Sequence, residues 1–363
     1  MSKKLQVAII GCGGIANGKH MPSLSKLKDT VELVAFCDII VERAEKAKEQ
    51  YGTPEAKVYS DYRELLEDAS IDIVHVCTPN DAHAPVTIAA LEAGKHVMCE
   101  KPMAKTAADA RLMLEAAKRT GKKLSIGYQN RLRPDSLHLK QVAEAGKLGE
   151  VYFAKAHAIR RRAVPTWGVF LDEEKQGGGP LIDIGTHALD LALWMMNNYK
   201  PVSVTGSVFR KLADRENAAN AFGPWDPKEY TVEDSAFGMI KFENGATVIL
   251  ESAWALNTLD VKEARVTLCG TEAGADMEDG LRLNGEEFSR LWETKVDTKA
   301  GGVAFYSGGA ENESEKEARL WTEAVLEDKD PVVLPEQALV VSEILEAIYE
   351  SAKTGKTVYF ERK

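Results

Sequence analysis

Three ionisable side chains lie in an apolar segment of the sequence. Residues 177–196 read GGGPLIDIGTHALDLALWMM, which predicts a helix buried on every side that nevertheless carries Asp183, His187 and Asp190. Asp183 precedes His187 by four residues and Asp190 follows it by three, so one helix face carries all three. Because an unpaired charge buried there is costly, these residues must be paired or used in chemistry.

Proton transfer is the chemistry that this group suits. An unperturbed imidazole has a pKa near neutrality, and the carboxylate of Asp183, one turn before His187, can orient its ring. There are two alternatives to a catalytic role. His187 could be a hydrogen-bonded core residue, or Asp183 and His187 could together bind a metal ion. No further ligand cluster accompanies the pair, so no metal is predicted. Asp190 is interpreted as a structural partner.

Lys101 is the second chemical candidate. It lies in the motif CEKP (Cys99–Pro102) after an apolar run, at the end of a strand where doubly wound folds bind ligands. The following proline keeps Lys101 out of helical geometry and can direct it into the crevice. The alternative is an ordinary surface lysine beside a turn.

The first third of the chain alternates short apolar strands with helices. A first strand is predicted in LQVAIIGCGGIA, where the apolar run stops at the glycines, and further strands are predicted in VELVAFCD, IDIVHVCTP, KHVMCEKP and KKLSIGYQ. Helices are predicted over Val41–Tyr51, Pro85–Ala93 and Ala107–Thr120. This repetition predicts an α/β Rossmann domain with a doubly wound parallel sheet over residues 1–128.

The segment GCGGIA after the first strand matches the dinucleotide fingerprint G-x-G-x-x-A. Gly11 allows the tight turn, Gly13 lets the backbone approach a pyrophosphate, and Ala16 permits close helix packing. Gly14 and Ile15 lie at the helix start, whose N–H groups face the phosphates. A glycine-rich structural turn would have the same sequence, but the strand before it and the helix after it favour a nucleotide site.

Asp38 closes the second strand, 22 residues after Ala16. A carboxylate there accepts hydrogen bonds from the ribose hydroxyls and repels a 2′-phosphate, which favours NAD over NADP. Asp38 as a cap of the next helix is the alternative. Further cofactor contacts are predicted at Thr78, Pro79, Asn80, His83, Glu100 and Lys101. His83 could also cap its helix, and His75 is interpreted as merely buried.

The remaining chain has the alternation of antiparallel strands. A hairpin with a two-residue Asn244-Gly245 turn is predicted, followed by helices over Ser314–Glu327 and Pro335–Lys353. Residues 213–233 are predicted to form a surface loop. The pattern predicts an α+β C-terminal domain over residues 129–363, with a large, open, mainly antiparallel sheet.

Composition excludes several classes of protein. A net charge of -10 argues against a nucleic-acid partner, and no apolar stretch is long enough to span a membrane. Five cysteines without CxxC spacing indicate reduced thiols in a cytoplasmic protein.

At these motifs the sequence resembles the glucose–fructose oxidoreductase / inositol dehydrogenase / rhizopine-catabolism (Gfo/Idh/MocA) family. The resemblance covers essentially the whole chain, through GCGGIA, CTPN with His83, EKP, GGGPLIDIGTHALD and GKTVYF. It implies that Lys101, Asp183 and His187 form the catalytic group. It also implies a homodimer or homotetramer assembled through the sheet of the C-terminal domain.

The chemistry that follows is oxidation of a secondary hydroxyl by NAD. His187 would take the hydroxyl proton, Lys101 would stabilise the developing negative charge, and Asp183 would orient both. The roles of Lys101 and His187 can be exchanged. A sugar or cyclic polyol is the expected substrate, and its candidate contacts are Asn130, Arg160, Arg162 and Trp167. Arg131 is a further candidate for substrate binding. The alternative for the run of arginines at 160–162 is an ordinary solvent-exposed face. Two rival hypotheses are an NAD-assisted glycoside hydrolase and a non-catalytic NAD-binding regulator.

Overall fold

The protein forms two compact units in a computed structural model that describes residues 4–298 and 311–361. The first unit contains residues 4–129 and 311–339, and the second contains residues 130–298 and 340–361. The predicted boundary after residue 128 therefore falls within one residue of a unit border. The outer ends of the two predicted domains, at residues 1 and 363, lie outside the described residues.

The first unit is built on a six-stranded parallel sheet with the order β3-β2-β1-β4-β5-β6. Its strands are β1 (Leu5–Ile10), β2 (Val31–Cys37), β3 (Lys57–Tyr59), β4 (Ile73–Val76), β5 (His96–Cys99) and β6 (Leu124–Ile126). Every residue of β4 is buried, as expected for a strand covered on both faces. The predicted doubly wound Rossmann sheet is confirmed.

Helices connect these strands. They are a π-helical turn (Ala16–His20) continuing into α1 (Met21–Leu24), then α2 (Val41–Tyr51), α3 (Tyr62–Leu66), α4 (Asn80–Glu92) and α5 (Ala107–Thr120). The predicted bounds of α2 and α5 are confirmed. The predicted start of α4 at Pro85 is wrong, because Pro85 lies inside the helix. The side chains of Asn80 and His83, in the turn before Pro85, are buried.

The second unit contains a nine-stranded sheet with the order β14-β13-β12-β11-β7-β10-β9-β8-β15. Its strands are β7 (Val151–Ile159), β8 (Pro201–Phe209), β9 (Ser235–Phe242), β10 (Thr247–Ala253), β11 (Lys262–Gly270), β12 (Ala273–Asp276), β13 (Arg282–Glu287), β14 (Arg290–Lys295) and β15 (Val358–Tyr359). Among the described strands of this second sheet, β7 and β10 form the one parallel pair. The predicted large, mainly antiparallel sheet is confirmed.

Three helices of the second unit precede β8 in the chain. They are α6 (Pro134–Glu144), α7 (Glu173–Gln176) and α8 (Thr186–Met196), the last preceded by a π-helical turn (Leu181–Gly185). Helix α8 packs over β7 and β11, where Ala154, Ala156 and Ala158 are fully buried. These small side chains let the helix backbone approach the sheet closely.

The last two helices are α9 (Glu313–Leu326) and α10 (Pro335–Thr354). Helix α9 belongs to the first unit, whereas the sequence predicted that all of residues 129–363 form the second domain. The physical reason is its apolar face, since Ala318 and Trp321 join the hydrophobic cluster around Val7 and Ile9 of β1. The order of elements along the chain could not predict that α9 packs against the first unit.

Two loop predictions need correction. The β9–β10 hairpin has a three-residue connection, because Phe242 pairs with Ala246 and Gly245 takes φ +86°. The loop over residues 213–233 has no helix or strand but is not wholly superficial. Trp225 and Tyr230 are buried within it, with ring centroids 5.8 Å apart.

The five cysteines are free thiols, and all but Cys269 are buried. No helix of the described ranges is long and apolar enough to cross a membrane.

Candidate functional site

The loop between β1 and the first helical turn is shaped for close approach of a ligand. Gly11 takes φ +92°, and a Cβ there would lie 2.6 Å from the carbonyl oxygen of Cys77, so a side chain is excluded. A Cβ on Gly13 or Gly14 would meet nothing within 4 Å. The loop thus has a sterically fixed base and open space above it, which fits the predicted pyrophosphate cradle.

The helix after this loop begins at Gly14. Its first-turn N–H groups have no acceptor within the helix and are available to an anion. Ile15 is 42% exposed there, while Ala16 is fully buried in the core beneath. Contacts of Gly13, Gly14 and Ile15 with a cofactor stay predictions.

Asp38 lies beside the glycine loop and is 7% exposed. Its carboxylate accepts hydrogen bonds from the backbone N–H groups of Cys12 and Ile40, both at 2.8 Å. Helix α2 begins only at Val41, so Asp38 is not its capping residue in the usual sense. The contact with Cys12 instead couples the predicted ribose-binding residue to the predicted phosphate loop.

His83 connects two of the predicted cofactor segments. Its Nδ1 lies 2.7 Å from the carbonyl oxygen of Pro102, and its Nε2 lies 3.0 Å from that of Thr78. His83 therefore links the backbone of Thr78 to that of Pro102, the residue that follows Lys101. A capping residue would accept hydrogen bonds from the N–H groups of its own helix. His83 instead contacts two carbonyl oxygens, so these contacts are not a helix cap.

Glu100 is part of a buried ionic cluster that the sequence analysis missed. Its Oε1 accepts hydrogen bonds of 2.7 Å from Lys19 Nζ and from His20 Nε2. Lys19 also pairs with Glu317 of α9 at 2.8 Å, and His20 Nδ1 lies 2.9 Å from His75 Nδ1. Burial acts to raise the pKa of Glu100, but the charge of Lys19 and the bonds from His20 hold that pKa well below its usual range. A cofactor contact by Glu100 stays a prediction, since this carboxylate has internal partners.

Replacing Lys19 with methionine is expected to lower the free energy of unfolding by about 3–5 kcal/mol, because two buried carboxylates lose their counter-ion. Lys26→Met is the matched control. Lys26 also pairs with α9, through Glu315, but its side chain is 63% exposed, so a loss below about 1 kcal/mol is expected. Denaturant unfolding measures both. If Lys19→Met loses no more unfolding free energy than Lys26→Met, the buried cluster does not stabilise the first unit.

In the second unit, Asp183 lies on the π-helical turn and His187 on the first turn of α8. Isolated π-helical turns are frequent at functional sites. Asp183 is partly exposed, and its Oδ2 accepts a 3.0 Å hydrogen bond from the indole Nε1 of the fully buried Trp254. His187 is 9% exposed. A fixed carboxylate one turn before a histidine is an arrangement that can orient an imidazole.

Asp190 has a structural partner, as interpreted from the sequence. Arg131 donates to both of its carboxylate oxygens, from Nε at 2.9 Å and from Nη2 at 2.6 Å. Both side chains are almost fully buried. This bidentate pair accounts for the third charge on the apolar segment, and it commits Arg131 to α8 rather than to a substrate.

The predicted substrate residues are spread over several segments of the second unit. Arg160 donates to Glu263 at 2.6 Å, and Arg162 donates to the side chain of Asn257 at 2.5 Å. Trp167 is 53% exposed and packs edge-on against Phe222. Asn130 lies in a short 3₁₀ turn over Gln129–Leu132. Substrate contacts by these residues stay predictions.

No group of three or more His, Cys, Asp or Glu residues that could hold a metal ion occurs in the ranges that the structure describes.

Comparison with known proteins identifies the family. Residues 5–128 match the oxidoreductase family with an NAD-binding Rossmann fold, and residues 136–276 match the GFO/IDH/MocA C-terminal domain. The chain is 37% identical to D-glucoside 3-dehydrogenase of Escherichia coli over 98% of both chains. It belongs to the GFO/IDH/MocA family. This member is therefore an NAD(P)-dependent dehydrogenase of the class that acts on CH–OH groups.

Two other relatives agree with this assignment. Inositol 2-dehydrogenase of Salmonella typhimurium is 34% identical over 55% of this chain and 57% of its own. The solved aldose-aldose oxidoreductase of Caulobacter crescentus is 28% identical, covers 99% of this chain and 100% of its own, and superposes with a TM-score of 0.79. The predicted family and fold are confirmed.

Proposed function

We propose that this GFO/IDH/MocA member oxidises a secondary ring hydroxyl of a sugar or cyclic polyol with NAD, and that its substrate is a glucoside. The observation that carries the proposal is the match to a D-glucoside 3-dehydrogenase along nearly the whole length of both chains. Lys101, Asp183 and His187, which suit alcohol oxidation, are all present.

We assign three catalytic roles. Bound NAD supplies the hydride acceptor. His187 removes the hydroxyl proton, since an imidazole titrates near neutrality, and the ammonium of Lys101 stabilises the negative charge that develops on the oxygen. Asp183 keeps His187 in one tautomer and keeps Lys101 protonated. Its bond from Trp254 supports this role, because it limits the rotamers open to the carboxylate.

We further propose contacts for the substrate. Arg160, Arg162 and Asn130 would donate hydrogen bonds to sugar hydroxyls, and Trp167 would stack on the ring. The exposure of Trp167 supports this role. The bidentate pair of Arg160 with Glu263 argues that this arginine acts through its remaining N–H groups.

The proposed preference for NAD predicts the effect of changing Asp38. Asp38→Ser is expected to lower the ratio of kcat/KM for NAD to that for NADP by about tenfold or more, because like charges about 4 Å apart repel by roughly 1–4 kcal/mol. Asp68→Ser, which removes a carboxylate bound to Lys57 elsewhere in the first unit, is the control. An unchanged ratio in Asp38→Ser would mean that Asp38 serves only to hold the glycine loop.

The test of the function is NADH formation, followed by near-ultraviolet absorbance, with NAD and a panel of glucosides, free aldoses and inositols. We expect NADH in proportion to oxidised glucoside. Cleavage of a glucoside without net NADH would contradict the proposal and favour the NAD-assisted hydrolase. Tight NAD binding without turnover of any panel member would favour the regulator.

We also propose a homodimer or homotetramer that forms through the sheet of the second unit. Gly206 and Gly238 face Ile348 of α10, so the alternate residues Phe209, Phe237 and Met239 point to the opposite side of the sheet. Phe209 and Met239 are each 39% exposed, and exposed apolar side chains on an open sheet favour a partner. Light scattering in solution measures the assembly, and a monomer would contradict it.

The cytoplasm is the proposed compartment. Its support is the chemistry of the cysteines, which are all free thiols. Oxidising compartments favour disulfides, and reducing ones keep such thiols free.

A further inference from the structure

We propose that Glu233 and Tyr349 are positioning residues, which act together to hold the π-helical turn that carries Asp183. This inference rests on the proposed catalytic role of Asp183. Neither residue belongs to a motif recognised in the sequence. Glu233 ends the polar loop over residues 213–233, and Tyr349 lies on α10, so both come from segments far along the chain.

The carboxylate of Glu233 binds the first residue of this turn, the backbone just before the turn, and Tyr349. Glu233 Oε2 accepts a hydrogen bond of 2.8 Å from the backbone N–H of Gly179, and Oε1 accepts one of 3.1 Å from that of Leu181. The hydroxyl of Tyr349 donates to Oε1 at 2.8 Å. Glu233 is 6% exposed. A buried carboxylate is costly unless donors surround it, and these three donors meet that requirement.

The glycines before the turn are explained by the same arrangement. A Cβ on Gly178 would overlap the phenol of Tyr349, and a Cβ on Gly179 would overlap the carbonyl oxygen of Glu233. Glycine at position 178 therefore leaves room for the phenol of Tyr349, and glycine at position 179 leaves room for the backbone of Glu233. The first glycine, Gly177, takes φ +80° as it ends α7. The GGG sequence thus has a local cause in the approach of Glu233 and Tyr349.

The carboxylate of Glu233 also lies at the N-terminal end of the π-helical turn that leads into α8, where a negative charge is favourable. Leu181 lies in the first turn, where N–H groups lack intrahelical acceptors and carry the positive end of the helix dipole. Burial raises the pKa of Glu233, whereas the three donors act to lower it. The N–H donors favour the anion in that place, which makes the contact stronger than a neutral one.

The turn is held from the sheet as well. Ser252 of β10 donates to the carbonyl oxygen of Pro180 at 2.7 Å, and Trp254 donates to the carboxylate of Asp183. Asp183 is thus fixed at its side chain by Trp254, and the backbone before it is fixed by Glu233. Loosening Glu233 would move Asp183 relative to His187 while leaving the rest of α8 in place. A misplacement of a catalytic group by about 1 Å can lower the rate by about 10²-fold.

The experiment compares two Tyr→Phe variants of the second unit. Tyr349→Phe removes the hydroxyl that binds Glu233. Tyr230→Phe is the matched control, because the hydroxyl of Tyr230 is buried and has no hydrogen-bond partner in the described part of the chain. Glu233→Gln is the third variant and keeps one acceptor oxygen. Hydrogen exchange of the backbone amides over residues 179–187, kcat, KM and the unfolding midpoint are measured for each.

For Tyr349→Phe we expect faster exchange over residues 179–187 and a fall in kcat of about tenfold, with KM for NAD unchanged. For Tyr230→Phe we expect neither change, and for Glu233→Gln a larger fall in kcat than for Tyr349→Phe. A purely structural role predicts a lower unfolding midpoint with kcat per folded molecule unchanged, and that result would overturn the inference. Unchanged exchange in Tyr349→Phe would overturn it whether or not the proposed dehydrogenase activity is found.

Discussion

Lys101→Ala is expected to bind NAD as tightly as the parent and to lose activity, with kcat lower by about 10²–10⁴-fold, the usual range for a group that moves or stabilises a proton. The side chain is assigned to the substrate oxygen, so its loss removes an interaction that strengthens as charge develops. Steady-state kinetics with a glucoside measures kcat, and calorimetric titration measures NAD affinity.

Lys118→Ala is the control for this substitution. It removes a lysine of the same unit whose ammonium pairs with Glu336 at the surface, and its side chain is 60% exposed. We expect Lys118→Ala to retain the parent kcat. A Lys101→Ala variant with full activity would remove Lys101 from the catalytic group, and a variant that no longer binds NAD would place it in the cofactor site alone.

His187→Gln is expected to lower kcat by about 10²–10⁴-fold while KM for NAD stays within the error of the measurement. The amide of glutamine retains hydrogen-bonding atoms but cannot accept the hydroxyl proton at neutral pH. Asp183→Asn is expected to lower kcat in the same direction, because an amide neither fixes the imidazole tautomer nor balances a lysine charge.

His138→Gln, on α6, is the control for loss of an imidazole in the same unit. The pH profile separates two explanations for a slow His187 variant. If His187 is the base, the acidic limb of kcat/KM disappears in His187→Gln and persists in His138→Gln. A profile that keeps its acidic limb in His187→Gln would transfer the base role to another group, with Lys101 the first candidate.

Much of the first unit could be predicted because its signals are local. The fingerprint glycines, the acid at the end of β2 and the helix ends at Tyr51 and Thr120 are each specified by a few neighbouring residues. The start of α4 was missed because proline is common at the first position of a helix, while here Pro85 lies inside a helix that begins at Asn80.

The partners of buried charges could not be predicted in this way. Lys19 and Glu317 are separated by almost the whole chain, and Asp190 and Arg131 by 59 residues. A sequence shows that a buried charge needs a partner, but the choice of partner depends on tertiary packing. The same limit hid Glu233, which ends a polar loop, and Trp254, which resembles any core aromatic.

The proposed reaction requires that Lys101 and the Asp183–His187 pair act on one substrate hydroxyl. A crystal structure of the enzyme with NADH and a glucoside tests it most directly. We expect Lys101 Nζ and a ring nitrogen of His187 both to lie within hydrogen-bond distance, about 2.6–3.2 Å, of the same hydroxyl oxygen of the sugar. A complex in which either group is farther away than one bridging water can span would contradict it.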